Sequence, residues 1–461
     1  MLQKKVRFLL TTTEKNNFKQ IPAGILEIVK VLIDANYQVY LVGGAVRDLL
    51  WDQSPNDWDL TTDALPDEIE ALFPDTLPTG KSFGTITVRS NELAVEVTTM
   101  RRDGEYSDGR HPDTITFTKE IYEDLVRRDF TINALAYDFK TGELVDYFGG
   151  RNDLRKRHLK TVGDPQVRFR EDALRMLRFF RFLATQDLRP DRATIQAIDA
   201  HLIAQISFER IRDELGKLLL GKNVIRGLEG LVQSGLLTAI IPEFNAVLDF
   251  DRQKNASGLW QHLLSTVSSI RPQLHLRWAA LLHDLGKPAT FQIINNAVHF
   301  YNHDTYGAEL STIILERLRY PRKFVAQVVN LVHNHMFALA VNSTDAAIRR
   351  LINKVGPDNI TDLLELRRAD IVATGRIDSN TWLYWQTITK RITAVIESGQ
   401  LIDQKKLAIS GHDLIKALNL KPGPIVGAVL NFLSEQVLDH PEFNTEQRLL
   451  QLAKDYLENN T

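Results

Sequence analysis

Two aspartates separated by one residue are the side chains in this sequence best suited to bind divalent cations. Asp57 and Asp59 flank Trp58, and alternate positions on a strand point to one face with Cα atoms about 7 Å apart. Two divalent ions shared by such a pair can activate an attacking hydroxyl and stabilise a leaving phosphate oxygen. Glu96, within the predicted strand Ala94 to Thr98, is the candidate third carboxylate, and a solvent-facing strand residue is an equally good interpretation of it.

A pair of glycines precedes these aspartates at the end of another predicted strand. Gly43 and Gly44 follow the segment Gln38 to Val42 and open a predicted helix. Glycines let backbone N–H groups approach a triphosphate, and a helix N-terminus adds partial positive charge. Arg47, one turn into the helix, can add a charge-assisted contact. By itself this segment fits an ordinary strand-to-helix turn, but with Asp57 nearby it favours a nucleotide site.

A second set of potential metal ligands is rich in histidine. His283 and Asp284 follow the apolar predicted helix Leu276 to Leu282, so an imidazole and a carboxylate meet at one helix end, which suits a hard or borderline divalent ion. The chain has no cysteine, so any metal must be held by histidine and carboxylate. The full set is His262, His283, Asp284, His303, His335 and Asp370.

The composition is that of a globular, helix-rich chain of two to four domains. Of the 461 residues, 44% are hydrophobic and 25% are charged, and 25 glycines and 16 prolines are too few for a turn-dense all-β chain. No apolar run approaches a membrane span, and Phe8-Leu9-Leu10 is too short for the core of a signal peptide. We therefore expect a cytoplasmic protein with no membrane partner.

Charge is distributed unevenly although the net charge is only −2. Between Arg151 and Arg181 there are ten Lys and Arg residues against four acids. A local excess of this kind can attract phosphates. A solvated helix face is the favoured interpretation of a basic run on its own, so charge alone does not assign a polyanionic partner.

Strand-like alternation is confined to about the first 150 residues, as in the segments Gln38 to Val42, Ala94 to Thr98 and Thr114 to Thr118. From about Asp164 onward the apolar residues recur with helical periodicity. This pattern predicts an α+β chain whose small mixed sheet is followed by mostly helical domains. Breaks at Asp187 to Pro190, Pro242 to Gly258 and Glu397 to Asp403 divide it into predicted domains over 1–160, 161–245, 246–395 and 396–461.

Four motifs, in order and spacing, resemble the bacterial-type (class II) tRNA nucleotidyltransferases, the CCA-adding enzymes. They are Val42 to Asp48, Asp57-x-Asp59, Arg127 to Ala134 and Glu171 to Arg175. These enzymes are related to bacterial poly(A) polymerase and to the DNA polymerase β superfamily, and the resemblance covers residues 25–245. It implies a polymerase-β-like head, a helical neck, and template-independent addition of CCA to the 3′ end of tRNA from CTP and ATP.

The resemblance also implies residue roles. Asp57 and Asp59 would bind Mg²⁺. The remaining expected nucleotide contacts are Gly43, Gly44 and Arg47 to the triphosphate, Arg128 and Asn133 to ribose and phosphate, Asp172 and Arg175 to the base, and Arg178 and Arg181 to phosphate or base.

Asp172 and Arg175 are three residues apart and would be neighbours on a helix. A carboxylate accepts from the amino group of C or A, and a guanidinium donates to their ring acceptors, so the pair would exclude G and U. An ordinary ion pair between Glu171 and Arg175 is the alternative.

The histidine pattern resembles the HD phosphohydrolase domain that some bacterial tRNA nucleotidyltransferases carry after the neck. The resemblance implies a divalent transition metal bound by His262, His283, Asp284 and Asp370, and a second metal bound by His303 and His335. His299 and His333 are expected to be non-ligands. The implied activity is that of a phosphatase or 2′,3′-cyclic phosphodiesterase at RNA ends, with an inactive structural domain as the alternative.

Three rival functions stay open from the sequence. These are an A-adding enzyme, a poly(A) polymerase and a non-catalytic RNA-binding protein with a decayed head. The mixed-charge segment Arg101 to Pro112 predicts a mobile loop, which by resemblance disfavours a CC-only enzyme. The segment Thr79 to Thr85 resembles the tRNA enzymes more than it resembles the poly(A) polymerases. The last 60 or so residues resemble the family's tail, which touches the tRNA elbow.

Overall fold

The computed structural model describes residues 7–90, 93–104, 114–254, 258–375, 379–398 and 407–460. It divides into two compact units, Met1–Pro242 and Glu243–Thr461. Most of the predicted loop Arg101 to Pro112 lies outside the described residues, as does most of the predicted break at Glu397 to Asp403. The four-domain division stays a prediction, and the boundary between the two units falls close to its expected neck end at 245.

The first unit is built on a mixed sheet. Its strands are β1 (Arg7–Leu9), β2 (Val39–Val42), β3 (Asp59–Thr62), β4 (Thr76–Gly80), β5 (Thr85–Ser90), β6 (Leu93–Thr99), β7 (Arg101–Asp103), β8 (Ile115–Phe117), β9 (Leu135–Asp138), β10 (Glu143–Asp146), β11 (His158–Leu159) and β12 (Arg189–Pro190). In the described part of the chain, eight of them form one sheet in the order β1-β10-β9-β2-β3-β6-β5-β4. Only β3 and β6 pair in parallel within it, and the predicted mixed α+β fold is confirmed.

The helices of the first unit lie between and after these strands in the chain. They are α1 (Thr12–Phe18), α2 (Ala23–Asp34), α3 (Gly44–Leu50), α4 (Pro66–Leu72), α5 (Ile121–Val126), α6 (Gly150–Arg155), α7 (Pro165–Glu171), α8 (Leu174–Thr185), α9 (Arg192–Gln196), α10 (Phe208–Leu219), α11 (Val224–Gln233) and α12 (Leu236–Ile240), with 3₁₀ turns at Lys81–Phe83, Thr131–Asn133 and Ala200–Gln205.

Apolar spacing explains how these elements pack. All four residues of β2 are buried between β3 and β9. Ile25, Ile28 and Leu32 recur on one face of α2 and are buried where this helix packs on the sheet. Farther along, α8 packs against α10 and α11. A side chain at Gly230 of α11 would place its Cβ 2.4 Å from the Phe180 ring, so glycine permits this close approach.

The second unit is almost entirely helical in its described residues. Its elements are α13 (Phe244–Lys254), α14 (Leu259–Ser269), α15 (Leu274–Leu282), α16 (Lys287–Thr290), β13 (Gln292–Ile294), β14 (Ala297–His299), α17 (His303–Arg317), α18 (Arg322–Asn334), α19 (Asp345–Val355), α20 (Ile360–Ala373), α21 (Ser379–Glu397), α22 (Gly411–Leu418), α23 (Pro424–Asp439) and α24 (Glu446–Asn460), with a 3₁₀ turn at Pro441–Phe443.

Two features of this unit differ from expectation. The predicted break from Pro242 to Gly258 contains α13, whose apolar residues Phe244 and Val247 are buried. The β13–β14 hairpin interrupts the predicted helical run, and its turn residues Asn295 and Asn296 have positive φ angles, which asparagine tolerates better than most residues.

The core of the second unit surrounds α15. Residues 276–282 of this helix are buried, and α14, α18 and α20 pack against it. The C-terminal helices α22, α23 and α24 share a separate apolar cluster that includes Leu414, Leu433 and Leu449. Within the described ranges, no helix is both long enough and apolar enough to span a membrane.

Candidate functional site

The turn between β2 and α3 requires a glycine. Gly43 has φ 70° and ψ −134°, a conformation that L-residues rarely adopt. A Cβ at this position would lie 2.9 Å from Arg128 Nη1 and 3.5 Å from Asp59 Oδ2. The sequence thus folds here as predicted, with the backbone of the Gly43-Gly44 turn beside one candidate cation ligand and one candidate phosphate ligand.

Three carboxylates lie close together where the neighbouring strands β3 and β6 pair. Asp59 is the first residue of β3 and pairs in register with Glu96 on the parallel strand β6. Asp57 lies just before the strand, so the prediction that both aspartates occupy strand positions is wrong for Asp57. The pairing of β3 with β2 begins at Asp59, which lies opposite Val42.

The electrostatics of these carboxylates favour a cation. Burial raises the pKa of Asp59 against the effect of the Arg128 charge, and Asp57 raises it further. Loss of hydration also raises the pKa of Glu96, and the charges of Asp59 and Asp57 add to this shift. An all-oxygen donor set with mutual repulsion fits Mg²⁺, which prefers carboxylate ligands and relieves such repulsion.

The predicted residues of the head and neck, apart from Glu96, line one cleft of about 880 Å³. They are Gly43, Gly44, Arg47, Asp57, Asp59, Arg128, Asn133, Asp172, Arg175, Arg178 and Arg181. Sequence reasoning missed further lining residues, among them Asp129, Phe182, Arg210 and Lys217. Asp129 could have been predicted from the sequence, because it lies inside the motif Arg127 to Ala134.

A chain of hydrogen bonds orients the cations of this cleft. Arg47 Nη1 donates to Asn133 Oδ1 at 2.8 Å, and Asn133 Nδ2 donates to Asp129 Oδ1 at 3.0 Å. Arg178 donates from Nε and Nη2 to Asp129 Oδ2 at 2.9 and 2.7 Å. Burial alone would raise the pKa of Asp129, but the Arg178 charge and these hydrogen bonds hold it well below its usual range. Asp129 is therefore ionised, and it anchors Arg178 directly and Arg47 through Asn133.

Phe182, which also lines the cleft, contacts several of its arginines. The guanidinium of Arg181 lies 4.2 Å from the centre of its ring, and that of Arg47 lies 5.4 Å from it. Arg128 is held by the buried Asp124, whose Oδ2 lies 3.4 Å from Arg128 Nη2. Cation–π contacts and ion pairs of this kind restrict side-chain motion before a ligand binds.

Asp172 and Arg175 do not share a helix, which corrects the predicted geometry. Asp172 is extended (φ −148°, ψ 103°) between α7 and α8, because its carboxylate accepts from the Leu174 backbone N–H at 3.1 Å and so competes with helical bonding. Arg175 Nη1 pairs with Glu171 at 2.6 Å, the ion pair that the sequence left as the alternative. Both residues nevertheless line the cleft.

The histidine set converges in the second unit. His262 Nε2 lies 3.2 Å from His283 Nε2, 3.4 Å from Asp284 Oδ2 and 3.1 Å from Asp370 Oδ1. His283 Nε2 is 3.2 Å from Asp284 Oδ2. The geometry thus brings together the four residues that the sequence assigned to the first metal.

Asp284 also faces the other two histidines. Its Oδ1 lies 3.3 Å from His303 Nε2 and 3.6 Å from His335 Nε2, and those two nitrogens are 3.3 Å apart. Although Oδ1 is buried, it accepts no hydrogen bond from the described residues. A buried carboxylate oxygen that faces two imidazoles without a hydrogen bond fits a bridging metal ligand.

Backbone carbonyls orient three of these rings. The Nδ1 atoms of His283, His303 and His335 lie 2.9, 2.7 and 2.6 Å from carbonyl oxygens three residues earlier. When Nδ1 donates to these carbonyls, each Nε2 lone pair points into the cluster, the outer-shell arrangement typical of metal-binding histidines. Among the described residues, the groups that could hold a metal contain His262, His283, Asp284, His303 and His335, and they do not contain Asp370, His299 or His333.

The buried carboxylates of this cluster raise the pKa of one of its histidines. Burial would lower the pKa of His283, but Asp284 and Asp370 raise it to about 10. Bound divalent ions would displace such protons. A pocket of about 860 Å³ opens beside the cluster, and Phe250, Lys287 and Arg367 are among its lining residues.

Family models match successive parts of the chain. The model described as the poly(A) polymerase head domain matches residues 39–160. The model for the RNA- and SrmB-binding site of polymerase A matches 187–248. The model for tRNA nucleotidyltransferase domain 2 matches 305–453.

Relatives of similar length are CCA-adding enzymes. The one from Geobacillus sp. (strain WCH70) is 33% identical over 428 residues, which cover 92% of this chain and 94% of the relative. The one from Limosilactobacillus reuteri (strain DSM 20016) is 32% identical over 446 residues, 95% of this chain and 98% of the relative. The crystal structure of the Bacillus stearothermophilus CCA-adding enzyme in complex with CTP matches with a TM-score of 0.74 and 29% identity, over 96% of this chain and 98% of that one. With both sequence and fold shared over nearly the whole length, this chain belongs to the family of CCA-adding enzymes, the tRNA nucleotidyltransferases.

Proposed function

We propose that the first unit adds or repairs the 3′-terminal CCA of tRNA from CTP and ATP without a nucleic acid template. The observation that carries this proposal is that one cleft is lined by the Asp57/Asp59 pair, the Gly43-Gly44 turn and a row of arginines. Nucleotidyl transfer needs these elements together, because it depends on positioning and on neutralising phosphate charge.

Asp57 and Asp59, with Glu96 beside them, would hold Mg²⁺. Magnesium bound there would make the tRNA 3′-hydroxyl a better nucleophile and neutralise charge on the departing pyrophosphate. The backbone N–H groups of the Gly43-Gly44 turn face the triphosphate in this proposal. Arg47 contacts the same phosphates, and its hydrogen bonds to Asn133 and to Asp48 fix its direction.

Base selection is assigned to Asp172 and Arg175. The carboxylate accepts from the amino group of cytosine or adenine, and the guanidinium donates to the adjacent ring nitrogen. Uracil and guanine present the reverse pattern, so either base would leave buried polar groups unpaired. Arg178 and Arg181, from the next turns of α8, would contact phosphate or base.

The test uses three tRNA transcripts, which end before the tail, after the first C and after CC. Each is incubated with one nucleoside triphosphate at a time. We expect CTP to extend the first two and ATP to extend the third, with little use of GTP or UTP. Activity only on the CC transcript would indicate an A-adding enzyme, and long A tracts on every transcript would indicate a poly(A) polymerase.

For the second unit we propose a metal-dependent phosphohydrolase of the HD type. The position of Asp284 supports this proposal. Its Oδ2 faces His262 and His283, and its Oδ1 faces His303 and His335. His262, His283, Asp284 and Asp370 would hold one divalent ion, and His303 and His335 would hold a second. Imidazole ligands favour a transition metal over magnesium.

Metal content tests this second proposal directly. The purified chain is stripped with chelator, loaded with Mn²⁺, Co²⁺ or Ni²⁺ and analysed for bound metal and for hydrolysis of a 2′,3′-cyclic nucleotide. We expect binding that the double variant His283→Ala with Asp284→Ala abolishes and that His333→Ala retains. Equal metal binding by the double variant would refute the proposed ligand set.

Three further assignments complete the proposal. The C-terminal helices α22 to α24 correspond to the tail expected to contact tRNA. The domains are a head over 1–160, a neck over 161–245, an HD domain over 246–395 and that tail over 396–461. A cytoplasmic location is consistent with an activity directed at tRNA.

A further inference from the structure

The β13–β14 hairpin presents one apolar face to the pocket beside the histidine cluster. Ile293 and Val298 lie opposite each other in this antiparallel pair, so their side chains share a face. Phe291 lies two residues before Ile293 and Phe300 lies two residues after Val298, and alternate positions of an extended segment point to the same side. All four side chains line the pocket of about 860 Å³, and that of the next strand residue, Ile294, does not.

Phenyl rings strengthen this apolar wall. The ring centre of Phe250 lies 5.4 Å from that of Phe291 and 6.2 Å from that of Phe300, and the last two are 5.9 Å apart. Ile293 and Val298 are still 62% and 54% exposed, so a ligand that covers them gains free energy from the burial of apolar surface. A flat ligand with apolar faces, such as a nucleobase, suits a wall of this kind.

Two cations lie between the wall and the proposed metal ligands. Lys287 Nζ contacts the carboxylate of Asp284 and lies 5.6 Å from the centre of the Phe300 ring. Arg367 Nη1 donates to Asp370 Oδ2 at 2.6 Å. Both cations line the pocket, which therefore joins an apolar wall to groups that attract a phosphate.

The lining of the pocket has few groups that could read the identity of a base. Besides the two cations and three of the proposed metal ligands, Thr374 is the lining side chain, in the described part of the chain, with a strong hydrogen-bonding group. Stacking accepts every base, because each base has a π-face. The remaining lining residues are all apolar, namely Phe250, Leu259, Phe291, Ile293, Val298, Phe300 and Met336.

We propose that this pocket is a base-binding subsite that accepts a nucleotide with any of the four bases. This inference rests on the phosphohydrolase function proposed for the second unit. The phosphate of the nucleotide lies at the histidine cluster with Lys287 and Arg367, and its base lies against the hairpin wall. The volume of the pocket is within the range of small-molecule sites and is sufficient for a mononucleotide.

Photo-crosslinking tests the subsite without relying on catalysis. Adenosine 2′,3′-cyclic phosphate with an 8-azido group is irradiated with the full-length chain, both without added metal and with Mn²⁺, and the labelled peptides are identified by mass spectrometry. We expect labelled peptides that contain Phe250 or residues 291–300, in addition to any from the cleft of the first unit. Labelling confined to the first unit in both conditions would overturn the proposal.

Competition by unlabelled compounds shows what the pocket recognises. The 2′,3′-cyclic phosphates of adenosine, guanosine, cytidine and uridine should suppress labelling of the second unit at concentrations within about tenfold of one another. Glycerol 1,2-cyclic phosphate, which has no base, should require about tenfold to a hundredfold more. Equal competition by this base-free compound would refute the base subsite, and a preference of more than about a hundredfold for one base would refute its tolerance.

Two isoleucines of the hairpin give a matched pair of variants. Ile293→Ser makes the wall polar and should lower labelling of the second unit by about threefold to tenfold, because apolar contact with the base is lost. Ile294→Ser changes the next residue of the same strand, which does not line the pocket, and it should leave labelling unchanged. Both isoleucines are exposed, so neither substitution alters the core. Equal labelling of the two variants would contradict the role of the wall.

Hydrolysis and labelling together separate this inference from the function on which it rests. If the metal-loaded chain hydrolyses the cyclic nucleotide but Ile293→Ser is labelled like the wild type, the subsite is refuted and the phosphohydrolase function stands. If labelling depends on Ile293 but none of the loaded metals supports hydrolysis, the pocket stands as a nucleotide site and the phosphohydrolase function is refuted.

Discussion

Asp59 and Asp129 show two ways in which this chain handles buried negative charge. Asp59 lies beside Asp57 and Glu96, and burial raises its pKa although the Arg128 charge acts in the opposite direction, so a further cation would stabilise its ionised form. Asp129 receives its cation from Arg178, so its charge is compensated within the protein. At the scale of single residues, the first carboxylate is suited to metal binding and the second to positioning.

Replacing a metal ligand should therefore affect chemistry more than affinity. We expect Asp59→Asn to lower nucleotide addition by more than the roughly 100-fold typical of losing an outer-shell partner, with tRNA binding nearly unchanged because phosphate contacts dominate affinity. Single-turnover incorporation and a filter-binding assay measure the two effects. Retained addition of C by the variant would contradict the metal assignment.

Asp129 predicts an acid dependence of stability. Its pKa in the folded state lies below its unfolded value of about 3.9, so its contribution is fully present above that value and is lost progressively as the pH falls from there toward the lower folded-state pKa. We expect Asp129→Asn to be less stable than the wild type at pH 6, with a smaller further loss at pH 3. Urea unfolding midpoints at the two pH values test this, and parallel losses in both proteins would contradict it.

At the scale of elements, the strand–turn–helix unit β2–α3 positions the phosphate-binding groups. Its turn depends on the backbone of Gly43.

Gly43→Ala should cost about 1–3 kcal/mol of stability and displace Arg128, which a new Cβ would approach to 2.9 Å. Gly44→Ala is the matched control for stability, since its Cβ would lie an ordinary 3.6 Å from Arg47. Thermal unfolding compares the two variants. Equal loss of stability in both would show that the turn does not depend on the unusual φ.

Local sequence signals predicted these elements well, and tertiary contacts explain where they failed. Alternation located β2 and β6, and the Gly43-Gly44 pair located the turn, because these features depend on neighbouring residues. The helix break at Asp172 was missed because it depends on one side chain bonding to the backbone. Arg210 was missed because its contact with Asp172 spans 38 residues of sequence, and no spacing rule reports such a contact.

At the scale of the whole molecule, the two candidate sites lie in different compact units, within Met1–Pro242 and within Glu243–Thr461. The carboxylates of the first and the histidines of the second each have their full proposed ligand set within their own unit.

Each site should therefore survive the loss of the other. We expect the double variant His283→Ala with Asp284→Ala to keep CCA addition within severalfold of the wild type while it loses transition-metal binding. Circular dichroism checks that the variant is folded. Loss of nucleotide addition in a folded variant would show that the histidines belong to the polymerising site.

The sequence of the product tests the central claim most directly. A tRNA transcript that lacks its tail is incubated with all four nucleoside triphosphates and Mg²⁺, and the new 3′ ends are sequenced. If the cleft around Asp57 and Asp59 adds CCA and selects bases through the protein, the ends will read C, C, A and stop there. Ends that continue as an A tract, that contain U or G in place of C or A, or that are not extended at all would contradict this account.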